Sequence, residues 1–226
     1  MRFSVTGAPL VIRLSRIRYL NGLSGSTKLK SAIGERNLDI FTKKKIARVD
    51  AKLRRQEAYD RIGSKASIKV ADFFERFFQY DERSAGINVV AAYISIKTEL
   101  NLQPTIARLL KIGKTICLPI IVNQNEPLIF NQWDGKSELT IGQFNVLIPT
   151  TGQKIEPDLI ICPLLSYDEQ GYRLGYGGGF YDRTIAGFEK QKRPIFAFGC
   201  GYAEQLSKEK LPVDQNDKKL NAMVTE

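Results

Sequence analysis

The chain has 226 residues, of which 43% are hydrophobic, and this suits one globular domain or one domain with an extension. No apolar run approaches the roughly 18 to 20 residues needed to cross a bilayer, so the sequence predicts a soluble protein. The absence of histidine excludes Ser-His and Cys-His nucleophilic pairs and histidine metal sites. Any chemistry therefore depends on carboxylates, lysine, tyrosine or groups of the substrate.

The three cysteines each lie in an apolar, strand-like segment, at Cys117, Cys162 and Cys200. Their odd number and their surroundings argue against a disulfide framework or a metal site. We therefore expect reduced thiols in the core.

The net charge of +10 is concentrated near the amino terminus. Residues 1–34 contain six Lys or Arg and no acidic residue, which leaves 28 basic against 24 acidic residues, or +4, for the rest. We expect residues 1–38 to be a basic extension and residues 39–226 to form the domain. The extension fits a transit peptide, a disordered tail or an upstream start codon equally well. The expected location is cytoplasmic, with mitochondrial as the alternative.

Two helices are predicted before the first strand. From Ile40 onward, the spacing of Ile46, Val49 and Leu53 indicates an amphipathic helix among Lys and Arg residues. A second helix, over residues 68–80, carries an apolar stripe that we predict to be core: Val70, Phe73, Phe74, Phe77 and Phe78.

The rest of the chain alternates between buried strands and helices. The runs NVVAAYISI, TICLPIIV, DLIICPLL and RPIFAFGC are continuous and apolar, as expected for strands that are buried on both faces. QPTIARLLKIGK is a predicted helix, another helix opens at Tyr202, and residues 127–150 resemble an edge strand or hairpin with a loop. This alternation predicts an α/β fold, a three-layer sandwich with a mainly parallel central sheet.

The glycine-rich run GYRLGYGGGFYDR, residues 171–183, follows DLIICPLL and leads into a helix-capable segment. Glycines let backbone N–H groups approach an anion closely, and the N-terminus of the next helix favours phosphate. Arg173 and Arg183 add donors for phosphate oxygens, and Asp182 suits a bridging Mg²⁺. The alternative is a glycine-rich hairpin or surface loop without a ligand.

The same run resembles the signature of the 5-formyltetrahydrofolate cyclo-ligase family, G-x-R-L-G-x-G-x-G-[FY]-Y-D, at every fixed position. Three further segments resemble that family in the same order: KKIARVDAKLRR, YISIKTELNL and LPVDQNDKKLNAMVTE. The resemblance covers residues 43–226.

This resemblance implies ATP- and Mg²⁺-dependent conversion of 5-formyltetrahydrofolate to 5,10-methenyltetrahydrofolate, with release of ADP and phosphate. It also implies a Rossmann-like fold of the kind seen in sugar-phosphate isomerases and CoA-transferases. The partner is then a small folate, with or without a polyglutamate tail. We expect a monomer that engages neither nucleic acid nor membrane.

The resemblance also implies roles for particular residues. The expected catalytic residues are Lys44, Arg173 and Tyr181. The expected ATP-binding residues are Lys44, Arg48, Arg173, Leu174, Gly175, Tyr176, Gly177, Gly178, Gly179, Phe180 and Tyr181. The expected folate-binding residues are Ile94, Glu99 and Tyr181, and Asp182 and Asp217 are the expected Mg²⁺ ligands.

The sequence departs from the family pattern at Leu102, where threonine is usual, at Ile148, where a polar residue is usual, and at Asn216 and Asn221, where histidine and aspartate are common. We expect Leu102 to weaken the cap of its helix more than the chemistry. Two other classes of function stay open on the residues alone. One is a sugar-phosphate or CoA-ester enzyme or regulator of similar architecture, and the other is a basic protein that binds nucleic acid.

Overall fold

The computed structural model describes residues 10–12, 38–193 and 195–226. The helices are α1 (Ile40–Tyr80), α2 (Gln103–Lys111) and α3 (Phe180–Lys190). The strands are β1 (Leu10–Ile12), β2 (Val89–Ala91), β3 (Thr115–Ile120), β4 (Ile129–Trp133), β5 (Leu139–Ile141), β6 (Leu147–Pro149), β7 (Leu159–Cys162), β8 (Ser166–Tyr167), β9 (Arg173–Leu174), β10 (Phe196–Cys200) and β11 (Ala222–Val224).

Seven strands form the central sheet in the order β1-β11-β10-β7-β2-β3-β4. Every neighbouring pair is parallel except β3 and β4, so the antiparallel strand lies at the edge. The pairs β5–β6 and β8–β9 are separate antiparallel hairpins. The predicted mainly parallel sheet is confirmed.

Helices cover both faces of this sheet. Side chains of α1 and α2 pack with alternate strand residues such as Val90, Ile116 and Leu159 in one core cluster. Residues of α3, including Ile185 and Phe188, pack on the opposite face in a second cluster. The three-layer arrangement is therefore confirmed, with helices on each side of a sheet whose central strands are buried on both faces.

The two predicted amino-terminal helices are one continuous helix of 41 residues. Asp39 caps its start by accepting a hydrogen bond from the Thr42 amide at 2.7 Å. Between residues 40 and 80 there is no proline, and Gly63 alone is too weak a breaker to end the helix.

The apolar face predicted for the first half of α1 is wrong. Val49 and Leu53 are 58% and 60% exposed, whereas Ala51, Arg55 and Ala58 are buried. Small alanines allow the helix to approach the sheet closely, and the basic side chains on the same face turn inward. The aromatic stripe was predicted correctly, because Val70, Phe74 and Phe77 are buried, and Phe73 and Phe78 pack beside them.

Several smaller predictions are confirmed or refined. The three cysteines are free and buried. Burial raises the pKa of the Cys117 and Cys162 thiols to about 12, so both stay protonated at neutral pH.

The helix expected at Tyr202 is only a short 3₁₀ turn, Ala203–Gln205. No helix in the described part of the chain is long and apolar enough to cross a bilayer.

The departure at Leu102 affects its helix as expected. Leu102 lies at the N-cap of α2 without a side-chain hydrogen bond and is fully buried. The side chain of Asn101 accepts instead from the amide of Gln103 at 2.9 Å. Asn221 accepts from the Ala197 amide at 2.7 Å, which fixes β10 beside the carboxy-terminal segment.

Candidate active site

The candidate site lies at the carboxyl edge of the central sheet. Strands β2 and β7 are parallel neighbours, so the segments that follow them emerge side by side. One of these segments contains Glu99, and the other leads through the β8–β9 hairpin into the glycine-rich run. The hairpin was not predicted, since the run was expected directly after β7.

The glycine loop, residues 175–179, opens directly into α3. Gly179 is the N-cap residue of α3, with φ +68°, and the helix has no side-chain cap. Gly177 also has positive φ, +109°. The first amides of α3 therefore have no side-chain acceptor, as in a site that binds an anion.

Two predicted cationic residues of α1 reach this loop and the carboxy-terminal segment. The Arg48 Nε donates to the Gly175 carbonyl at 2.9 Å, and a Cβ on Gly177 would lie 3.2 Å from the Arg48 guanidinium. Lys44, one helical turn earlier, donates through Nζ to Asp214 and Asp217 at 2.7 and 2.6 Å. The basic face of α1 is thus a wall of the candidate site.

Lys44 remains charged in this environment. Burial alone lowers the pKa of Lys44, but its hydrogen bonds to Asp214 and Asp217 outweigh burial and raise that pKa. The same contact lowers the pKa of Asp214. Lys44 and Asp217, which the sequence predicts as a phosphate ligand and a metal ligand, therefore form an ion pair.

Arg173 and Asp182 form a second ion pair, with 3.0 Å between Nη2 and Oδ1. Arg173 is nearly buried, and its Nη1 also donates to the Lys218 carbonyl at 3.2 Å. The amide of Lys218 donates to Asp182 Oδ1 at 3.0 Å. Asp182 therefore lies against the residue that follows Asp217, so the two predicted metal ligands come from touching segments.

The other arginine of the run, Arg183, uses its Nε and Nη2 groups in contacts with backbone carbonyls. It donates to the carbonyls of Gln124, Glu126 and Gly178 at 2.8 to 3.2 Å and lies over the Phe180 ring. These bonds tie the loop to residues 124–126, and the expected contact of Arg183 with phosphate stays a prediction. Leu174 is buried in the core, so only its backbone faces the loop.

The predicted folate side is centred on Glu99, which is 5% exposed. Burial raises the pKa of Glu99, while the hydrogen bond from the Ile96 amide at 3.0 Å and the charge of Arg55 oppose that rise.

Tyr181 is half-buried beneath Arg173, with 5.9 Å from its ring centre to the guanidinium carbon. Burial raises the pKa of Tyr181 well above its ordinary value, so its phenol is a neutral donor. Ile94 is half-buried against the core cluster that contains Tyr93 and Leu100.

Arg55, Asp214 and Thr98 were not predicted from the sequence. Arg55 lies seven residues after Arg48, which lies four after Lys44, so all three share a helix face. That spacing was the available signal. The spacing did not identify a buried face, because the basic side chains of an arginine-rich helix are usually exposed to solvent.

Known proteins resemble this chain in sequence and in fold. The sequence model of the 5-formyltetrahydrofolate cyclo-ligase family matches residues 42–226. The 5-formyltetrahydrofolate cyclo-ligase of Escherichia coli K12 is 36% identical over 146 residues, which cover 61% of this chain and 78% of that protein. A probable 5-formyltetrahydrofolate cyclo-ligase of Schizosaccharomyces pombe is 30% identical over 150 residues, covering 60% and 74%.

Solved structures share the fold. The 5,10-methenyltetrahydrofolate synthetase of Mycoplasma pneumoniae aligns with a TM-score of 0.57 and 20% identity, covering 78% of this chain and 98% of that one. The corresponding synthetase of Aquifex aeolicus aligns with a TM-score of 0.56 and 23% identity, covering 76% and 88%. The matched family model spans all four motif segments, and the chain therefore belongs to the 5-formyltetrahydrofolate cyclo-ligase family of enzymes.

Proposed function

We propose that the chain converts 5-formyltetrahydrofolate to 5,10-methenyltetrahydrofolate in a reaction that consumes ATP with Mg²⁺ and releases ADP and phosphate. The observation that most directly supports the nucleotide is the contact of Arg48 with the glycine loop at the uncapped start of α3. Lys44 lies one helical turn before Arg48 on the same helix. Backbone amides, a helix dipole and fixed cations are the groups that stabilise a transferring phosphoryl group.

The chemistry needs little from the protein beyond placement and charge. The N5-formyl oxygen attacks the γ-phosphorus of ATP and ADP leaves. N10 then attacks the activated formyl carbon and gives up its proton, and phosphate leaves as the C–O bond breaks. Both nucleophiles belong to the folate, which agrees with a chain that has no histidine. The enzyme supplies in-line positioning and neutralisation of charge.

Each predicted residue has a role that suits its surroundings. Lys44, Arg48 and Arg173 neutralise the phosphates. The neutral phenol of Tyr181 donates to the formyl oxygen and orients it. The buried carboxylate of Glu99 accepts hydrogen bonds from the pterin ring.

The donor set fits Mg²⁺, although no group of three or more acidic, cysteine or histidine residues suited to a metal occurs within the described residues. Asp182 and Asp217 each use one carboxylate oxygen in the hydrogen bonds described above. Mg²⁺ is commonly held by one or two carboxylates together with substrate phosphates. Asp182 and Asp217 would hold the ion, which supplies positive charge to the β- and γ-phosphates when bound.

Phosphate release tests this proposal. We expect release from ATP to depend on both 5-formyltetrahydrofolate and Mg²⁺, with one phosphate for each methenyl product. Release at an unchanged rate without the folate would indicate a different acceptor and contradict the proposal.

A further inference from the structure

Arg55 is a charged side chain in an unexpected place. It lies on the sheet-facing side of α1 between Ala51 and Ala58, and its side chain is only 4% exposed. Arginine is almost never fully buried unless it is paired, because removing its charge from water is unfavourable. An aliphatic residue would satisfy the packing of this face, so the guanidinium needs another explanation.

The contacts of Arg55 come from two segments with different predicted tasks. Its Nε donates to Thr98 Oγ1 at 3.1 Å, beside Glu99 on the predicted folate side. Its Nη2 donates to the Tyr176 hydroxyl at 2.6 Å, in the predicted nucleotide loop. The guanidinium carbon also lies 5.3 Å from the centre of the Tyr176 ring. One planar group thus touches both halves of the candidate site.

The arrangement leaves one nitrogen of the guanidinium without a hydrogen-bond partner in the described part of the chain. Arg55 Nη1 is buried and has no hydrogen-bond partner among the described residues. It lies 3.8 Å from Glu99 Oε1, beyond hydrogen-bond range. A buried charged donor without a partner is unfavourable. A small shift of Glu99 toward Arg55 would complete the bond, and both a folate at Glu99 and a nucleotide against Tyr176 can favour that shift.

We propose that Arg55 is a positioning residue that links the two predicted subsites. It holds Thr98, next to Glu99, on the folate side and the hydroxyl of Tyr176 on the nucleotide side, and its charge faces the Glu99 carboxylate. Binding at either subsite then orders a group that the other subsite uses, so each ligand tightens the other. This inference rests on the proposed function, because it needs both ligands to bind the same chain.

The test is calorimetric binding on the full chain with a non-hydrolysable ATP analogue plus Mg²⁺ and with 5-formyltetrahydrofolate. Each ligand is titrated alone and in the presence of the other. For the unaltered chain we expect each ligand to lower the Kd of the other about fivefold or more. In Arg55→Met this coupling falls to less than twofold, while the Kd of the nucleotide alone changes less than threefold.

The neighbouring Arg54 provides a matched control. It is also a partly buried arginine of α1, but it bonds to Asp50, Ser166 and the carbonyls of Glu204 and Leu206, away from both subsites. Arg54→Met should lower thermal stability and keep the coupling. Arg55→Lys keeps the charge but loses the fork that reaches two segments, so it should lose the coupling as Arg55→Met does.

Tyr176→Phe removes the hydrogen bond between Arg55 and the Tyr176 hydroxyl with a small change in volume. This variant replaces Arg55→Met in the test if Arg55→Met fails to fold. It should abolish most of the coupling, and combining it with Arg55→Lys should cause little additional loss. Coupling that persists in Arg55→Lys and Tyr176→Phe overturns the inference and leaves the proposed function intact. Nucleotide binding without any folate binding in the unaltered chain would instead contradict the proposed function, and the inference with it.

Discussion

Arg173 and Asp182 form the ion pair of the predicted phosphate site, and their unequal burial decides how each substitution behaves. The Arg173 side chain is 4% exposed and that of Asp182 23%. Removing the carboxylate leaves a buried cation whose remaining contacts among the described residues are the Lys218 carbonyl and the Tyr181 ring. In Asp182→Ala a loss of stability would therefore accompany any loss of catalysis. Asp182→Asn is the better test of catalysis, because asparagine keeps an oxygen that accepts hydrogen bonds.

We predict that Asp182→Asn lowers kcat by roughly 10² to 10³, the usual effect of removing one charge-stabilising group. The amide oxygen can still accept from Lys218 and Arg173, so the melting temperature should fall less than it does in the alanine variant. Asp182→Ala should also lose about 2 kcal/mol of stability. Initial rates and thermal melts separate the two effects. An Asp182→Asn enzyme with a rate near that of the unaltered chain would remove Asp182 from the mechanism.

Glu99 provides a prediction about pH. Burial raises its pKa above the ordinary value for glutamate, which is about 4.3. Because the proposed role needs the carboxylate, kcat/KM for the folate should fall on acidification at a higher pH than an ordinary glutamate would cause. In Glu99→Gln, kcat/KM should be low and should lack that acidic limb.

The effect of Glu99 on stability has the opposite sign. A carboxyl group whose pKa is raised by folding contributes stability that is present below the pKa of the unfolded chain and lost as pH rises through the folded value. Acidification should therefore weaken folate capture without destabilising the fold through Glu99. If kcat/KM of Glu99→Gln falls on acidification at the same pH as kcat/KM of the unaltered chain, that fall belongs to another group.

At the scale of elements, the candidate site depends on how α1 lies against the glycine loop. Arg48 fills the space beside Gly177, whose backbone has φ +109°. A side chain at Gly177 would be strained in the backbone and would also press on the Arg48 guanidinium. The contact between α1 and the loop is thus sensitive to a single methyl group.

We predict that Gly177→Ala costs about 1 to 2 kcal/mol of stability and raises KM for ATP about tenfold, because Arg48 is displaced. Gly187→Ala is the matched control. Gly187 lies inside α3, and an added Cβ there meets nothing within 4 Å. Alanine at position 187 should stabilise the helix by about 1 kcal/mol and leave KM unchanged. Equal effects of the two substitutions on KM would contradict the proposed contact.

At the scale of the whole molecule, the apolar runs predicted the strand layers and the aromatic stripe of α1 because burial on both faces leaves a clear pattern. The basic face of α1 was misjudged in physical terms. Val49 and Leu53 had the spacing of a core face, but the inward face is made of alanines and of cations that meet partners more than 100 residues away. Neither Asp214 nor Gly175 can be assigned to that helix from local spacing.

The same limit applies to the site. The motifs at residues 93–102 and 171–183 named Glu99 and Arg173, but Arg55, whose side chain bonds to both regions, belongs to neither motif. The β8–β9 hairpin escaped prediction because two-residue strands carry too little pattern. The amino-terminal extension remains a prediction, and within it the structure describes only the pairing of Leu10–Ile12 with β11.

The measurement that most directly tests the proposed reaction is the absorbance of 5,10-methenyltetrahydrofolate after the purified chain is mixed with 5-formyltetrahydrofolate. ATP and Mg²⁺ are each supplied or left out. We expect a rise in absorbance only when both are present. No rise from folded protein that binds ATP, or a rise without ATP, would contradict the proposed reaction.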